Sequence, residues 1–312
     1  MVTLDDIQLA QARLKPYLHP TPLEPAPELG EDVWLKLENA NLTHSFKIRG
    51  AINAVLSLDE SARTRGLVAA SSGNHAQGLA YAAFRTGATA KIYMPAHTPQ
   101  RKVKGVRKYG AEPILFGDNY DQAEAEARRV EREAGLTFIS PYNDARVIAG
   151  AGTIGLEIVE QLPDVERVVV CVSGGGLISG VALAVKSLKP EVEVIGVNAQ
   201  SAPSMYNLFY KTDLPEVWET YAEALSGDIE AGSITRELTL HYVDKIVLVS
   251  ETQIADAMRW MVDSQGWLVE GGGAVGVAAM LGGIIADDGR KTAVVVSGGN
   301  VDGDLLRRVL MG

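Results

Sequence analysis

Lys47 stands in surroundings that few lysines share. It lies within Glu38–Val55, ENANLTHSFKIRGAINAV, after the hydrogen-bonding residues Thr43, His44 and Ser45 and before a helix-compatible run. Ser45 is expected to cap that helix, which puts Lys47 in its first turn. Gly50 and Ala51, one turn on, share its face and Ala54 continues it, so other backbone can approach closely. Phe46 and Ile48 flank it. Desolvation and a positive helix end both lower a lysine's pKa and favour the neutral, nucleophilic amine. The same residues also fit an ordinary lysine with a buried stem and a solvated ammonium.

Three polar or glycine-rich loops each follow a predicted strand, and in an open parallel sheet ligands bind outside the carboxyl ends of strands. Ser71-Ser72-Gly73-Asn74-His75 offers amides and hydroxyls suited to a carboxylate. A strand-to-helix turn capped by Ser or Asn fits it equally, and His75 alone has a structural reading. Ser173-Gly174-Gly175-Gly176-Leu177 lets backbone wrap an anion at a helix N-terminus. It lacks both the Gly-Lys-Ser/Thr of a nucleotide loop and the G-x-G-x-x-G of dinucleotide folds, so a small phosphate group fits it better. Ser297-Gly298-Gly299-Asn300 would set the Ser297 hydroxyl at a strand end facing the cleft, or form another capped turn. Glu270, ahead of Gly271-Gly272-Gly273, is read as a supporting group.

A reactive lysine, a phosphate cradle and a carboxylate nest together match the needs of pyridoxal 5'-phosphate: an amine for its aldehyde, an anion site, and a partner for its ring nitrogen. Taken in order, Ser45-Phe46-Lys47-Ile48-Arg49-Gly50-Ala51 and the three loops resemble the motif set of the serine/threonine dehydratase and serine racemase family, fold type II pyridoxal-phosphate enzymes related to the tryptophan synthase β chain. The likeness extends over nearly the whole chain. It implies an α/β fold of two open twisted sheets with flanking helices. Residues 1–56 and 144–312 would form a large cofactor-binding domain, with 57–143 a small mobile domain inserted in it. It also implies a homodimer.

By the same resemblance, Lys47 holds the cofactor as a Schiff base and, once freed, takes the substrate's Cα proton. Phe46 packs near the ring, Asn74 bonds the ring hydroxyl, and Glu270 supports. Ser173, Gly174, Gly175, Gly176 and Leu177 hold the phosphate, and Ser297 meets the pyridine nitrogen with a neutral hydroxyl. Ser71, Ser72, Asn74 and His75 receive the substrate carboxylate. The expected reaction is β-elimination from L-threonine or L-serine, giving a 2-oxo acid and ammonia. Ser72 permits a second activity, since a serine there in racemases stands across from the lysine and returns a proton with inversion. Other dehydratases carry serine at this place too, so racemisation stays an alternative.

The chain departs from the family pattern in places. Asn198 and Ser204 stand where relatives place carboxylates around a divalent cation, so no metal site is expected. Ala222-Glu223-Ala224 replaces Ala-Asp-Gly, Ala151 replaces a common glutamine, and Tyr142-Asn143-Asp144 lies beside the expected cofactor pocket. These changes leave the lysine chemistry intact but open the substrate to another β-hydroxy amino acid, such as hydroxyaspartate. Two further readings, a non-catalytic amino acid binder and a dinucleotide enzyme, are disfavoured by the co-occurring motifs and the missing fingerprint.

These residues need a scaffold, and the pattern supplies one. Strands are predicted at Val33–Leu37, Leu67–Ala70, Ala90–Met94, Glu112–Phe116, Thr137–Ile139, Val168–Val172, Val192–Val197, Ile246–Val249 and Thr292–Val296. Helices are predicted at Leu4–Leu14, His75–Arg85, Pro99–Tyr109, Tyr120–Ala134, Val147–Gln161, Glu251–Gln265, Ala274–Gly283 and Asp304–Leu310, with residues 198–245 irregular. Such alternation argues for parallel sheets flanked by helices. The bulk numbers agree: 312 residues, 46% apolar, can bury a sizeable core. A net charge of −10 without a basic cluster disfavours nucleic acid and anionic membranes. Cys171 is the only cysteine, which excludes an intrachain disulfide and reads as a buried strand thiol. No signal peptide or membrane-length apolar run is seen, so a cytoplasmic protein is expected.

Overall fold

Two separate sheets organise the chain in the computed structural model, which describes residues 2–311. Met1 and Gly312, the outer limits of the expected large domain, lie outside the described residues. In chain order the elements are α1 (Leu4–Leu14), β1 (Leu23–Pro25), β2 (Val33–Leu37), α2 (Lys47–Leu56), α3 (Glu60–Arg65), β3 (Leu67–Ala70), α4 (Asn74–Thr86), β4 (Ala90–Met94), α5 (Gln100–Arg107), β5 (Glu112–Leu115), α6 (Tyr120–Ala134) and β6 (Thr137–Phe138). There follow α7 (Ala145–Gln161), β7 (Arg167–Cys171), α8 (Gly176–Leu188), β8 (Glu193–Ala199), α9 (Ser204–Tyr210), α10 (Ile234–Tyr242), β9 (Lys245–Val249), α11 (Glu251–Asp263), α12 (Gly271–Leu281), β10 (Thr292–Val296) and α13 (Gly303–Met311).

One sheet has six strands in the order β1-β2-β10-β7-β8-β9, and the other has four in the order β5-β4-β3-β6. Every neighbouring pair is parallel except β1 with β2. The central strands β7 and β10, RVVVC and TAVVV, are buried at every position, as continuous apolar runs must be when helices cover both faces. The expected two-sheet α/β architecture is therefore what the chain forms.

The differences from the sequence reading have physical causes. The short edge strand β1 ends on Pro25, which an edge tolerates, and it is too brief to show alternation. Helices α9 and α10 form inside residues 198–245, read as irregular, and α3 was not predicted. Glycines 271–273 are the first turn of α12, not a loop ahead of it. A Cβ at Gly271 would lie 2.1 Å from the Tyr221 carbonyl oxygen and one at Gly273 2.4 Å from that of Gly298. Close backbone approach outweighs the poor helix propensity of glycine there. Ser45 does not cap α2. Phe46, already helical at φ −61° and ψ −23°, takes the cap position with no side-chain bond, and Lys47 is the first helical residue.

Two devices fix α2, and with it Lys47. The first is close helix packing at glycines. A Cβ on Gly78 of α4 would come within 3.2 Å of the Lys47 carbonyl, and one on Gly150 of α7 within 2.6 Å of the Arg49 carbonyl. The glycines of α4 and α7 admit α2, and on α2 itself a Cβ at Gly50 would lie 2.8 Å from the Val147 carbonyl oxygen of α7, so the small face read in the sequence admits α7.

The second device is a buried cluster of two cations and two anions. Arg49 donates from Nε to Glu38 Oε2 at 2.7 Å and from Nη1 to Glu157 Oε1 at 2.6 Å. Lys36 Nζ donates to Glu157 Oε2 at 2.6 Å. Thr21 adds its hydroxyl to Glu38 at 2.6 Å. Burial alone would raise the Glu38 carboxyl; Arg49 overrides this and holds it below the ordinary carboxylate range. Removing one cation strands a buried carboxylate. Arg49→Met is therefore expected to cost about 3–5 kcal/mol of stability. Urea unfolding followed by far-UV circular dichroism checks it, and an unchanged midpoint would sink this view of the cluster.

Candidate active site

The segment before Lys47 is stitched to a loop about 250 residues away. Phe46 N–H donates to Ser297 O at 3.0 Å, Gly299 N–H donates to His44 O at 2.9 Å, and Asn300 Nδ2 donates to Thr43 O at 2.8 Å. Ser45 and Gly298 form an antiparallel bridge. His44 accommodates the bend in the left-handed region, at φ 56°. Two of the motifs singled out in the sequence therefore form one structural unit.

Lys47 Nζ donates to Pro141 O at 2.8 Å and lies 5.1 Å from the centroid of the Phe46 ring. Burial pushes its pKa down to about 8, against the smaller opposing effects of Cys171 and Glu270. The expected low-pKa amine is present. Ser297, at the carboxyl end of β10, is buried, and its Oγ accepts from the Cys171 thiol at 3.3 Å. Burial pushes that thiol up to about 11, so it stays protonated and donates. Cys171 is the buried strand thiol expected, but its contact with Ser297 had no sequence signal.

Asn74 is the first residue of α4, with Gly73 at the cap position and no side-chain cap bond, which leaves the first-turn amides open. Its Nδ2 donates to Glu270 Oε1 at 2.5 Å. Burial raises the Glu270 carboxyl, and Asn74 only partly offsets this. Ser71 Oγ is taken by the Gly73 N–H at 3.2 Å, and Ser72 is half-buried. His75 is buried, its Nε2 bonds the Ile139 carbonyl at 2.9 Å, and its Nδ1 has no partner. Burial, helped by nearby Lys47, pushes it down to about 3. Facing a carbonyl, Nε2 must carry the single proton of the neutral ring, so Nδ1 presents a lone pair. What His75 can offer an anion is its backbone N–H.

The glycine loop is shaped by its neighbours. Gly175 occupies the cap position of α8 at φ 86° with no side-chain cap, and Gly176 and Leu177 open the helix. A Cβ on Gly174 would meet the Tyr142 ring at 2.6 Å, and one on Gly176 the Tyr142 Cα at 2.9 Å. Thr235 Oγ1 donates to Gly174 O at 2.6 Å, and Tyr142 Oη accepts from Glu230 N–H at 3.0 Å. Ser173 and Gly174 are half-buried at the opening. Tyr142 lies beside the loop as the sequence implied, whereas Thr235 sits in the stretch read as irregular and went unnoticed.

The departures from the family pattern also find their places. Asn198 is buried, with Nδ2 donating to the Val172 and Ala202 carbonyls and Oδ1 accepting from Tyr206. Ser204 Oγ donates to Gly227 O at 3.2 Å. Among the described residues no three His, Cys, Asp or Glu side chains converge as a metal site would need. Ala151 is buried within α7, and Glu223 faces Lys102 across 3.4 Å.

These residues fit pyridoxal phosphate. Two helix N-termini without side-chain caps provide amides for two anionic groups, Gly174, Gly175 and Gly176 carry no side chain over one of them, and the depressed Lys47 amine feels the Glu270 carboxyl to which Asn74 donates. Two outcomes follow. Capture of the cofactor by apoprotein should rise with pH through an inflection near 8, as the Lys47 amine loses its proton; stopped-flow absorbance reads this, and an inflection near the ordinary lysine value refutes it. Gly174→Ala should weaken cofactor binding at least about tenfold, because the Tyr142 ring must move; equilibrium dialysis measures it.

Known proteins give the same answer independently. The profile described as pyridoxal-phosphate dependent enzyme matches residues 14–298. An L-threonine ammonia-lyase of Thermotoga maritima is 46% identical over 99% of this chain and 78% of its own length. The catabolic L-threonine dehydratase TdcB of Staphylococcus aureus is 40% identical over 97% and 90%. The structure of maize serine racemase superposes with a TM-score of 0.91 at 34% identity, covering 99% and 97%. The open amides, the glycine cradle and the depressed lysine thus have a common explanation: the chain belongs to the pyridoxal-phosphate dependent enzyme family, among the serine/threonine dehydratases and serine racemases.

Proposed function

We propose that the protein is an ammonia-lyase that uses pyridoxal phosphate to eliminate water from L-threonine or L-serine. The observation that carries the reaction type is the partner offered to the ring nitrogen. Ser297 is neutral, and its oxygen already accepts from the Cys171 thiol, so its own O–H is the donor left to give. A neutral partner leaves the ring a weaker electron sink than a carboxylate does, which suits prompt loss of a β-substituent. The 46% match to an L-threonine ammonia-lyase supports the substrate.

When bound, the cofactor supplies an electrophilic aldehyde and a conjugated ring that takes up the electrons of the breaking Cα–H bond. The chain does the rest. The open amides of the Ser71–His75 turn and the α4 N-terminus hold the substrate carboxylate. Ser173–Leu177 at the α8 N-terminus hold the phosphate. Lys47, freed as a neutral amine, takes the Cα proton from a substrate fixed in place. The β-hydroxyl leaves as water by taking up one proton, which balances the one Lys47 removed, and hydrolysis of the released enamine gives the 2-oxo acid and ammonia. Residues 57–143 act as the smaller, mobile domain whose closure excludes bulk water. The working form is read as a cytoplasmic homodimer. Among the described residues no helix is long and apolar enough to cross a membrane.

Ser72 supports a second reading, racemisation, because it is a half-buried hydroxyl in the turn just ahead of α4 and Asn74. A panel of β-hydroxy amino acids, including hydroxyaspartate, decides among these readings. Wild type should release 2-oxobutyrate from L-threonine, and Lys47→Ala should lose both this activity and the visible absorption at roughly 410–420 nm. A panel giving no 2-oxo acid defeats the ammonia-lyase reading. D-serine formed from L-serine by wild type but not by Ser72→Ala would establish the second activity.

A further inference from the structure

Two side-chain amides in the site form a chain whose ends permit one direction only. At one end Asn300 Nδ2 donates to the main-chain Thr43 O at 2.8 Å. The same nitrogen donates to Asn74 Oδ1 at 2.7 Å. At the other end Asn74 Nδ2 donates to Glu270 Oε1 at 2.5 Å. Carbonyl and carboxylate oxygens only accept, so turning over either amide sets NH2 against NH2 or oxygen against oxygen. Glu270 is held against Gly298, where a Cβ would lie 2.1 Å from Oε1. Arg101 of α5 fastens the loop from the other side, donating to the carbonyls of Asn300 at 3.3 Å and Val301 at 2.7 Å. Asn74 spends one N–H on Glu270 and keeps the second.

We propose that Asn300 is a positioning residue: by donating to Asn74 Oδ1 it locks the Asn74 amide so that the uncommitted N–H faces the ring oxygen of the cofactor. The inference rests on the cofactor site described above. Without Asn300, Asn74 is free to turn over whenever Glu270 takes up a proton. The amide would then offer an oxygen to an anionic ring oxygen, and affinity would fall.

Titration of apoprotein with pyridoxal phosphate, read by absorbance and tryptophan fluorescence, tests this. Asn300→Asp puts an acceptor against Asn74 Oδ1 and should weaken binding about tenfold near pH 8. Relative to wild type at each pH, which cancels the titration of Lys47, the deficit should shrink as pH falls towards about 4, where the introduced carboxyl regains a proton to donate. Asn300→Ala should show the opposite trend, a deficit that grows as pH falls and Glu270 takes up the proton that lets Asn74 turn over. Thermal unfolding of the apoproteins checks that each variant folds; if Asn300→Asp does not, Asn300→Ala binding as tightly as wild type overturns the proposal. So does an Asn300→Asp deficit that is absent or independent of pH. Lys47→Ala separates the two levels: if it captures the cofactor covalently like wild type, the site reading falls, whereas a deficit absent only in the Asn300 variants defeats this inference alone.

Discussion

The placement of Lys47 hangs on four charges buried beneath α2. Lys36 on β2, Glu38 just after it, Arg49 on α2 and Glu157 on α7 neutralise one another in a space closed to solvent. Such a cluster need not add net stability over an apolar one, because each ion first loses its hydration. What it does impose is geometry. Four N–H···O bonds from one guanidinium meet two carboxylates in a fork, so strand and helices are held in one register. Arg49 is two residues beyond Lys47. Lys47 is therefore placed by a lattice of directional bonds that it does not itself join.

The same economy of contact governs the other side of the site. The pairing of residues 43–46 with 297–300 joins the start of the large sheet's chain path to its end. β2 and β10 lie side by side in parallel, so the loops at their carboxyl ends emerge together, and the pairing follows from sheet order. A depressed lysine and a neutral hydroxyl arrive at one cleft because two strands distant in sequence are neighbours in the sheet.

Much of this was legible in the residues. The strands Val33–Leu37, Leu67–Ala70, Ala90–Met94 and Thr292–Val296 fall where their largely apolar runs put them, since burial of nearly every position leaves little freedom in their limits. The glycine loops and Lys47 announced themselves by types that ordinary surfaces do not gather. What stayed hidden is tertiary. Glu38, Lys36 and Glu157 look like solvated charges until α7 covers them. Thr235 and Met205 brace the glycine loop from a stretch whose short helices α9 and α10 carry weak periodicity. Ser45 reads as a cap by local chemistry, but the backbone pairing of its neighbours with Ser297 and Gly299 sets the chain direction there, and the helix starts later. Asn300 read as the tail of a turn because its partners, Thr43 and Asn74, lie more than 200 positions away.

The bond from Lys47 to the Pro141 carbonyl has a stereoelectronic consequence. A carbonyl oxygen can only accept, so the contact engages an N–H whether the side chain is an amine or an ammonium. In the neutral form the nitrogen is tetrahedral, and the nonbonding pair points away from the oxygen that holds the hydrogen. Pro141 thereby aims the reactive orbital without quenching it. An acidic donor in its place would have bound that same pair and left a well-positioned but unreactive nitrogen.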